Sequence, residues 1–192
     1  MARTRSALLD AAGECLSRYG IRKTTMVDVA ARSRVAKATL YNHFRTKDDL
    51  LVAYVEDRVS ALARTATATA AASGLTAALR GVAEELAADQ VLRRAAAAEP
   101  ALLAPLAVPS QSRAWELARS GAHDVLVAGR ARPSAAAVDL LLRWVTSQLL
   151  WPVSSEESVE VLLGALTGDA PAVVEPVSAG PVAEPSLGWP SV

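Results

Sequence analysis

A short predicted helix that begins after Ala36 presents small and polar side chains suited to reading duplex DNA. Lys37 and Asn42 can hydrogen-bond to base edges. The methyl groups of Ala38 and Thr39 can contact a thymine methyl. Donors suited to phosphate oxygens complete the set of candidate DNA-binding residues: Thr25, Tyr41, His43 and Lys47. Taken singly, most of these side chains are explained as well by packing or solvation, so the prediction rests on their joint placement around one short helix.

Two predicted helices precede this stretch and would hold it in place. The first covers about residues 3–19, where apolar residues including Cys15 recur at helical spacing, and Gly20 supplies a left-handed stop. Thr25 and Asp28, three residues apart, form a capping box that starts the second helix. The chain therefore predicts two helices before residue 33.

A tight turn over residues 33–35 separates the second helix from the third, which covers about residues 37–44. Leu40 and Phe44 are four residues apart and are expected to face the core. Two helices joined by such a turn are typical of a helix-turn-helix, whose second helix enters the major groove of DNA.

The rest of the chain is also helical in pattern. Thr46 and Asp49 form a second capping box, which opens a long helix expected to reach about residue 72, and Gly74 breaks it. Further helices are predicted over about residues 75–89, 90–98, 112–129, 135–151 and 155–167. Prolines at 100, 105 and 109 make the segment between the predicted helices over 90–98 and 112–129 a broken connection.

Composition agrees with an all-α fold. Apolar residues make up 52% of the chain and aromatic residues only 4%, so Ala, Leu and Val must supply the core. No hairpin signal and no alternation of strands with helices is found. We predict a three-helix N-terminal helix-turn-helix DNA-binding domain over residues 1–46 and a helical bundle over 47–168, with 47–72 as the connecting helix. Residues 169–192, with five prolines, are predicted to be a flexible tail; docking of Trp189 on the body is the alternative.

The formal net charge is zero, but the charge is unevenly distributed. Residues 1–49 contain ten Lys and Arg against five Asp and Glu, and residues 50–192 contain ten against fifteen. A basic N-terminal region indicates a polyanionic partner, although a chance distribution of surface charge would look the same.

Other classes of protein are disfavoured by what the sequence contains. Cys15 is the one cysteine, which excludes an intramolecular disulfide framework. With His43 and His123 as the two histidines, no metal-ligand cluster is predicted, and no cofactor is expected. No catalytic residue is assigned because nucleophile motifs and Gly-rich phosphate loops are missing, so the chain is not expected to be an enzyme. No apolar run is long enough for a membrane span and no signal peptide is seen, so a cytoplasmic protein is expected.

The sequence resembles the TetR family of bacterial transcriptional regulators over about residues 7–56. The similarity lies in Tyr19-Gly20 and in residues 24–30, 35–44 and 47–51, and its most specific part is the Thr-Leu-Tyr-x-x-Phe-x-x-Lys spacing of residues 39–47. In that family the matching positions that commonly contact DNA are Thr25, Lys37, Ala38, Thr39, Tyr41, Asn42, His43 and Lys47.

Two residues in the turn depart from the family pattern. Arg34 stands where the family usually has glycine, so it has to tolerate the turn geometry. Ala36 stands where Ser or Thr is common and forfeits a side-chain cap of about 1 kcal/mol. A weaker or unusual operator contact is therefore expected, without loss of the fold.

The resemblance implies that residues after about 72 form a ligand-binding and dimerisation domain. It implies a repressor that binds a palindromic operator on double-stranded DNA as a homodimer and is released by a small, mostly apolar effector. The residues expected to line the effector pocket are Leu79, Val82, Leu86, Leu102, Leu103, Trp115, His123 and Trp144. The alternative is a helical protein that binds a ligand or another protein and has lost specific DNA reading.

The helices predicted over 135–151 and 155–167 have more apolar surface than one small bundle can cover, which indicates a partner interface. We expect them to pair with their copies in a four-helix bundle. The expected interface residues are Val138, Leu141, Leu142, Val145, Leu149, Val159, Leu162, Leu163 and Leu166. The alternative is that these side chains form the core of the protomer.

Overall fold

The structure is a computed structural model, and it describes residues 2–98, 112–150 and 156–167. Within these ranges every regular element is a helix, as predicted. The helices are α1 (Ala2–Lys23), α2 (Met26–Ser33), α3 (Lys37–His43), α4 (Lys47–Ser73), α5 (Leu75–Ala88), α6 (Gln90–Ala98), α7 (Arg113–Ala128), α8 (Ala135–Leu150) and α9 (Glu156–Thr167).

Helices α1 to α3 pack around a small apolar core. Leu8 and Leu16 of α1, Val29 of α2 and Leu40 of α3 are almost completely buried, and Phe44 closes the core just after α3. Helix α1 packs on α2 and α4, and α2 packs on α3. The apolar side chains that fix α3 are therefore the two that its sequence spacing predicted.

Glycines with positive φ break the helical backbone at the two positions where a break was predicted. Gly20 has φ 78° and interrupts α1. Gly74 has φ 89° between α4 and α5. L-residues rarely adopt this region of φ, so glycine is the residue that allows the chain to turn there.

Helix α4 connects the two parts of the molecule. Its first residues are fixed by the capping box, in which the Thr46 hydroxyl accepts from Asp49 N at 3.0 Å and Thr46 N donates to Asp49 Oδ2 at 3.0 Å. The N-terminal part of α4 packs on α1, and its longer remainder packs on α5 and α7. At 27 residues the helix is about 40 Å long.

The remaining helices complete a bundle around α4. Helix α8 packs on α5, α6 and α7, and α9 packs on α5 and α8. Leu79 of α5 and Leu126 of α7 are fully buried at its centre. None of the described helices has the length and apolar character needed to cross a membrane.

Several sequence predictions fall outside the described residues. These are the proline-containing connection with Leu102 and Leu103, the segment 151–155, and the tail 169–192 with Trp189.

Candidate nucleic-acid interface and ligand cavity

The turn between α2 and α3 is a Schellman motif built on an arginine. Arg34 has φ 57° and ψ 26°, the left-handed conformation that favours glycine. Its N–H donates to the Ala31 carbonyl, and Val35 N donates to the Ala30 carbonyl, both at 3.3 Å. These bonds satisfy the last carbonyls of α2 and hold the conformation, so Arg34 does tolerate the geometry that the sequence demands of it.

Helix α3 begins without a side-chain cap. Ala36 adopts φ −58° and ψ 139°, and no side chain accepts from the first amides of the helix. The Ala36 carbonyl still accepts from Leu40 N at 3.1 Å, so the first helical turn forms. The first N–H groups of α3 are thus left without the side-chain acceptor that Ser or Thr at this position would supply.

We expect Arg34→Gly to raise the free energy of unfolding by about 1 kcal/mol, because it removes a left-handed non-glycine residue. Ala36→Ser is expected to add about 0.5–1 kcal/mol by capping α3. Arg130→Gly is a matched control, since Arg130 has φ 61° at the end of α7. Urea denaturation measures all three; a loss of stability in Arg34→Gly would contradict the strain argument.

Four predicted DNA-contact residues share one exposed face of α3. Lys37, Ala38, Tyr41 and Asn42 are exposed, and their spacing of one and four residues places them along a single helix face. The Lys37 Nζ atom lies 5.9 Å from the centre of the Tyr41 ring, and 41% of Tyr41 is exposed. This face is largely polar, and none of its four residues belongs to the buried core of the described residues.

Thr39 and His43 are only half-exposed. The His43 ring centre lies 6.2 Å from that of Phe44, tilted by 41°, so this side chain also packs on the core of the domain. Thr39 and His43 are therefore less accessible to a ligand than the four exposed residues.

Thr25 is occupied by its capping box at the start of α2. Its hydroxyl donates to Asp28 Oδ2 at 2.6 Å and accepts from Asp28 N at 3.2 Å, while Thr25 N donates to Asp28 Oδ2 at 3.0 Å. The hydrogen bonds from the Thr25 hydroxyl and N–H lower the pKa of Asp28. Thr25 therefore fixes the α2 terminus, and its exposed position still allows contact with a phosphate.

Lys47, the first residue of α4, is held against the end of α1. Its ammonium group donates to the carbonyl oxygens of Ile21 and Arg22, the latter at 3.2 Å. The side chain is half-buried. Lys47 thus links α1 to α4 in addition to any contact it makes with DNA.

The positive charge near α3 is only partly neutralised. Lys23, Arg34 and Arg45 are exposed, whereas Arg32 pairs with Glu14 of α1. Cys15 is buried in the same region, and burial raises the pKa of its thiol. The exposed cations supply the field that attracts a polyanion.

The bundle contains an apolar cavity between α4, α5, α7 and α8, with Leu92 of α6 at its wall. The space open to water within it is about 100 Å³. Its apolar walls include Leu62, Leu79, Leu86, Val125, Leu142 and Leu149.

Three charged side chains also line this cavity. Arg58 Nε donates to Asp89 Oδ2 at 3.1 Å, and Arg58 Nη2 donates to Glu85 Oε1 at 3.2 Å. Asp89 and Glu85 come from the C-terminal end of α5 and Arg58 from the middle of α4. The cavity therefore combines long apolar walls with one polar cluster, as small-molecule sites commonly do.

Comparison with protein families decides the identity of the N-terminal region. Residues 8–54 match the model of the bacterial regulatory proteins of the tetR family. Over residues 8–54 the chain belongs to the tetR family. The resemblance read from residues 7–56 is confirmed. No curated protein matches the chain.

Solved structures share the fold of this chain over most of its length. AlkX, a TetR family repressor from Dietzia sp. strain DQ12-45-1b implicated in biodegradation of n-alkanes, is 21% identical with a TM-score of 0.69 over 85% of this chain and 95% of its own. A Rhodococcus sp. protein described as a TetR-family transcriptional regulator is 26% identical, with a TM-score of 0.58 over 87% and 100%. FadR, a fatty acid degradation regulator from Bacillus halodurans, is 16% identical, with a TM-score of 0.51 over 85% and 96%. AlkX and FadR show the common fold alone.

The structure brings together only some of the predicted pocket residues. Leu79, Val82 and Leu86 line the cavity. Trp115 and His123 line a separate open groove between α7 and the start of α8. Trp144 lies on a third groove, between α8 and α9.

Helix α4 contributes cavity residues that were not predicted. Arg58, Leu62 and Ala66 lie four residues apart on one face of α4 and all line the cavity. That spacing was available in the sequence, where it continues the apolar stripe of α4 towards its C-terminus.

Most of the residues expected at the dimer interface are buried within the protomer itself. The buried residues are Val138, Leu141, Leu142, Leu149, Val159, Leu162 and Leu166, while Val145 and Leu163 are partly buried against the core. Leu141, Leu142, Val145 and Leu149 line the cavity. The apolar residues that α8 and α9 expose are different ones, Leu140 at 38% and Val161 at 58%. These two and Trp144 line one groove between α8 and α9.

Proposed function

We propose that this protein is a cytoplasmic repressor that binds a palindromic operator as a homodimer and is released by a small, mostly apolar ligand. The observation that carries the proposal is the exposed face of α3 formed by Lys37, Ala38, Tyr41 and Asn42, on a domain joined by α4 to an apolar cavity. The repressor AlkX, which has the same fold, supports this role.

The proposed contacts with DNA are of two kinds, contacts with bases and contacts with phosphates. Lys37 and Asn42 hydrogen-bond to base edges in the major groove, and Ala38 and Thr39 contact thymine methyl groups. The other residues in the proposal position the domain on phosphates: Thr25, Tyr41, His43 and Lys47.

We expect Lys47→Ala to weaken binding to all DNA sequences and to lower the slope of log affinity against log salt by about one. The protein should also lose about 1 kcal/mol of stability, because the ammonium group holds two α1 carbonyls. Titrations at several salt concentrations measure the slope, with Lys23→Ala as the exposed-cation control. An unchanged slope together with lowered stability would mean that Lys47 is structural alone.

A dimer through the exposed face of α8 and α9 supports operator recognition. Leu140, Trp144 and Val161 form an apolar strip there, and Ser147 and Ala165 are small enough to allow a second helix pair to approach closely. A twofold assembly places two α3 helices to read half-sites about 34–36 Å apart, which requires a palindromic operator.

Val161→Glu is expected to raise the dimer dissociation constant at least about tenfold, because it places an unpaired charge in an apolar interface. Val127→Glu is the matched control, since Val127 is 53% exposed on α7 and Val161 58% exposed on α9. Sedimentation velocity at a series of concentrations measures both variants. Equal behaviour of the two would place the interface elsewhere.

A route from the cavity to the DNA-binding helices passes through α6. Asp89 caps the start of α6 by accepting from Val91 N and Leu92 N, each at 3.0 Å. Two residues after Leu92, Arg94 Nη1 donates to the Ser17 carbonyl of α1 at 2.7 Å. A ligand that displaces Leu92 or Arg58 would move α6 and, with it, α1. Two such positions of α6 would couple the sites.

The function is tested by a mobility shift with duplexes from the DNA flanking the coding sequence. A repressor of this kind gives a discrete complex of two protomers on a palindrome that resists competitor DNA. Binding of random duplex with equal affinity would favour the second candidate, a ligand- or protein-binding protein without specific DNA reading. The strained Arg34 and the uncapped α3 are the observations that favour this alternative.

A further inference from the structure

Asp89 is the fixed point of the charged cluster at the cavity. Its side chain is only 8% exposed. Both carboxylate oxygens are used: Oδ1 accepts from Val91 N and Leu92 N, and Oδ2 accepts from Arg58 Nε. Moving this carboxylate would uncap α6, so it is not available to a ligand.

Arg58 uses two of its N–H groups within the cluster, and Glu85 is the carboxylate that keeps an acceptor available. Arg58 binds Asp89 through Nε and Glu85 through Nη2. Glu85 uses Oε1 for this bond, and its Oε2 atom has no hydrogen-bond or ion-pair partner among the residues that the structure describes. The Glu85 side chain is 32% exposed and lines the cavity. The cluster can therefore accept a further hydrogen bond through a negatively charged carboxylate oxygen, Glu85 Oε2.

The net charge of the cluster also favours a cationic ligand. One guanidinium and two carboxylates give the cluster a formal charge of −1, and Thr146, the other polar residue in the lining, donates its hydroxyl to the Leu142 carbonyl at 2.9 Å. Burial and then the charge of Asp89 raise the pKa of nearby Tyr54 to about 12, and the opposing effect of Arg58 is smaller. A carboxylate ligand on the remaining N–H groups of Arg58 would lie beside Glu85 and Asp89, whose two negative charges outweigh the single positive charge of Arg58.

We propose that the effector is an amphipathic cation, with an aliphatic chain in the cavity and a primary ammonium group on Glu85. This inference rests on the proposed function of the cavity as the effector site and adds the chemical class of the ligand. The ammonium donates to Glu85 Oε2 while Arg58 keeps its bond to Oε1, so no existing ion pair has to break. The space open to water holds about three water molecules at roughly 30 Å³ each, and because the cavity is partly open, a medium-length chain such as octyl can fill it and extend towards the opening.

The test compares three compounds with the same tail: octylammonium, octanoate and 1-octanol. Isothermal titration calorimetry at neutral pH measures their binding to the full-length wild-type protein, to Glu85→Gln, and to Glu84→Gln. Glu84 is the adjacent, exposed carboxylate and serves as the matched control. Glutamine at position 85 can still accept from Arg58, so the variant changes the charge with little change in shape.

We expect octylammonium to bind at least about tenfold more tightly than octanoate and 1-octanol. Glu85→Gln should remove most of that preference, and Glu84→Gln should keep it. Octanoate or 1-octanol binding as tightly as octylammonium to the wild type would overturn the inference and leave the cavity as an effector site. An equal loss for all three compounds in Glu85→Gln would also overturn it, since the residue would then only shape the cavity. Failure of all three to bind would reject both the inference and the proposed role of the cavity.

Discussion

Replacing Lys37 by alanine is expected to lower affinity for the operator about tenfold to a hundredfold, with little change in the free energy of unfolding. Lys37 is the first residue of α3, it is exposed, and its Nζ atom lies 5.9 Å from the centre of the Tyr41 ring. Removing it takes away a donor to base edges without disturbing the core formed by Leu40 and Phe44. Fluorescence anisotropy on the operator at fixed salt measures the loss.

Control variants distinguish the recognition of bases from nonspecific electrostatic attraction to DNA. Arg64→Ala removes an exposed cation far along α4 and should leave operator affinity unchanged. Because Lys37 and Tyr41 are in contact, the effect of Lys37→Ala combined with Tyr41→Ala should differ from the sum of the two. Equal losses in Lys37→Ala and Arg64→Ala would mean that α3 contributes only positive charge, and the assignment of α3 as the reading helix would have to be given up.

Replacing Gly121 by alanine is expected to destabilise the bundle by about 1–3 kcal/mol and to lower the melting temperature by several degrees. A Cβ atom on Gly121 would lie 2.5 Å from the Cβ of Ala63, whereas carbon atoms in contact prefer about 3.5–4.0 Å. Helices α4 and α7 would have to separate, which would also reshape the cavity that both residues line. Chemical denaturation and calorimetry measure the change.

The same substitution at another helical glycine gives the control. A Cβ atom on Gly81 meets nothing within 4 Å, so Gly81→Ala should stabilise the protein by about 0.5–1 kcal/mol through helix propensity. Ala63→Gly in the Gly121→Ala background should recover much of the stability by restoring the space. If Gly121→Ala stabilised the protein as Gly81→Ala does, the close approach of α4 and α7 would be refuted.

Helix boundaries were predictable because local chemistry sets them. The Thr-x-x-Asp pairs at 25–28 and 46–49 start α2 and α4, and Gly74 ends α4 at a positive φ. The demand on Arg34 was foreseen from the resemblance, because the family usually has glycine at this position and glycine favours the left-handed conformation that Arg34 adopts. Such features depend on contacts within a few residues, which the sequence displays directly.

The direction in which an apolar face points was not predictable. The stripe of α8 that includes Val138 and Leu142 faces the protomer interior, and Leu140 points outward. Helical spacing identifies both stripes, but α8 has apolar residues on more than one side. Only the packing of α8 against α5, α6 and α7 decides which stripe is buried.

The charged cluster that lines the cavity could not be predicted from the sequence for a related reason. Arg58 is 27 residues from Glu85 and 31 from Asp89, and the cluster forms only because the chain reverses at Gly74 and sets α5 against α4. Likewise, the sequence shows Lys47 as one more cation, while its bonds to the carbonyls of Ile21 and Arg22 depend on how α1 meets α4.

Methylation interference on the operator tests whether the exposed face of α3 enters the major groove of DNA. Guanine N7 lies in the major groove and adenine N3 in the minor groove. We expect N7 methylation to block binding in two patches about one helical turn apart on one face of the duplex. Binding that is indifferent to N7 methylation, or blocked only by methylation of adenine N3, would contradict it.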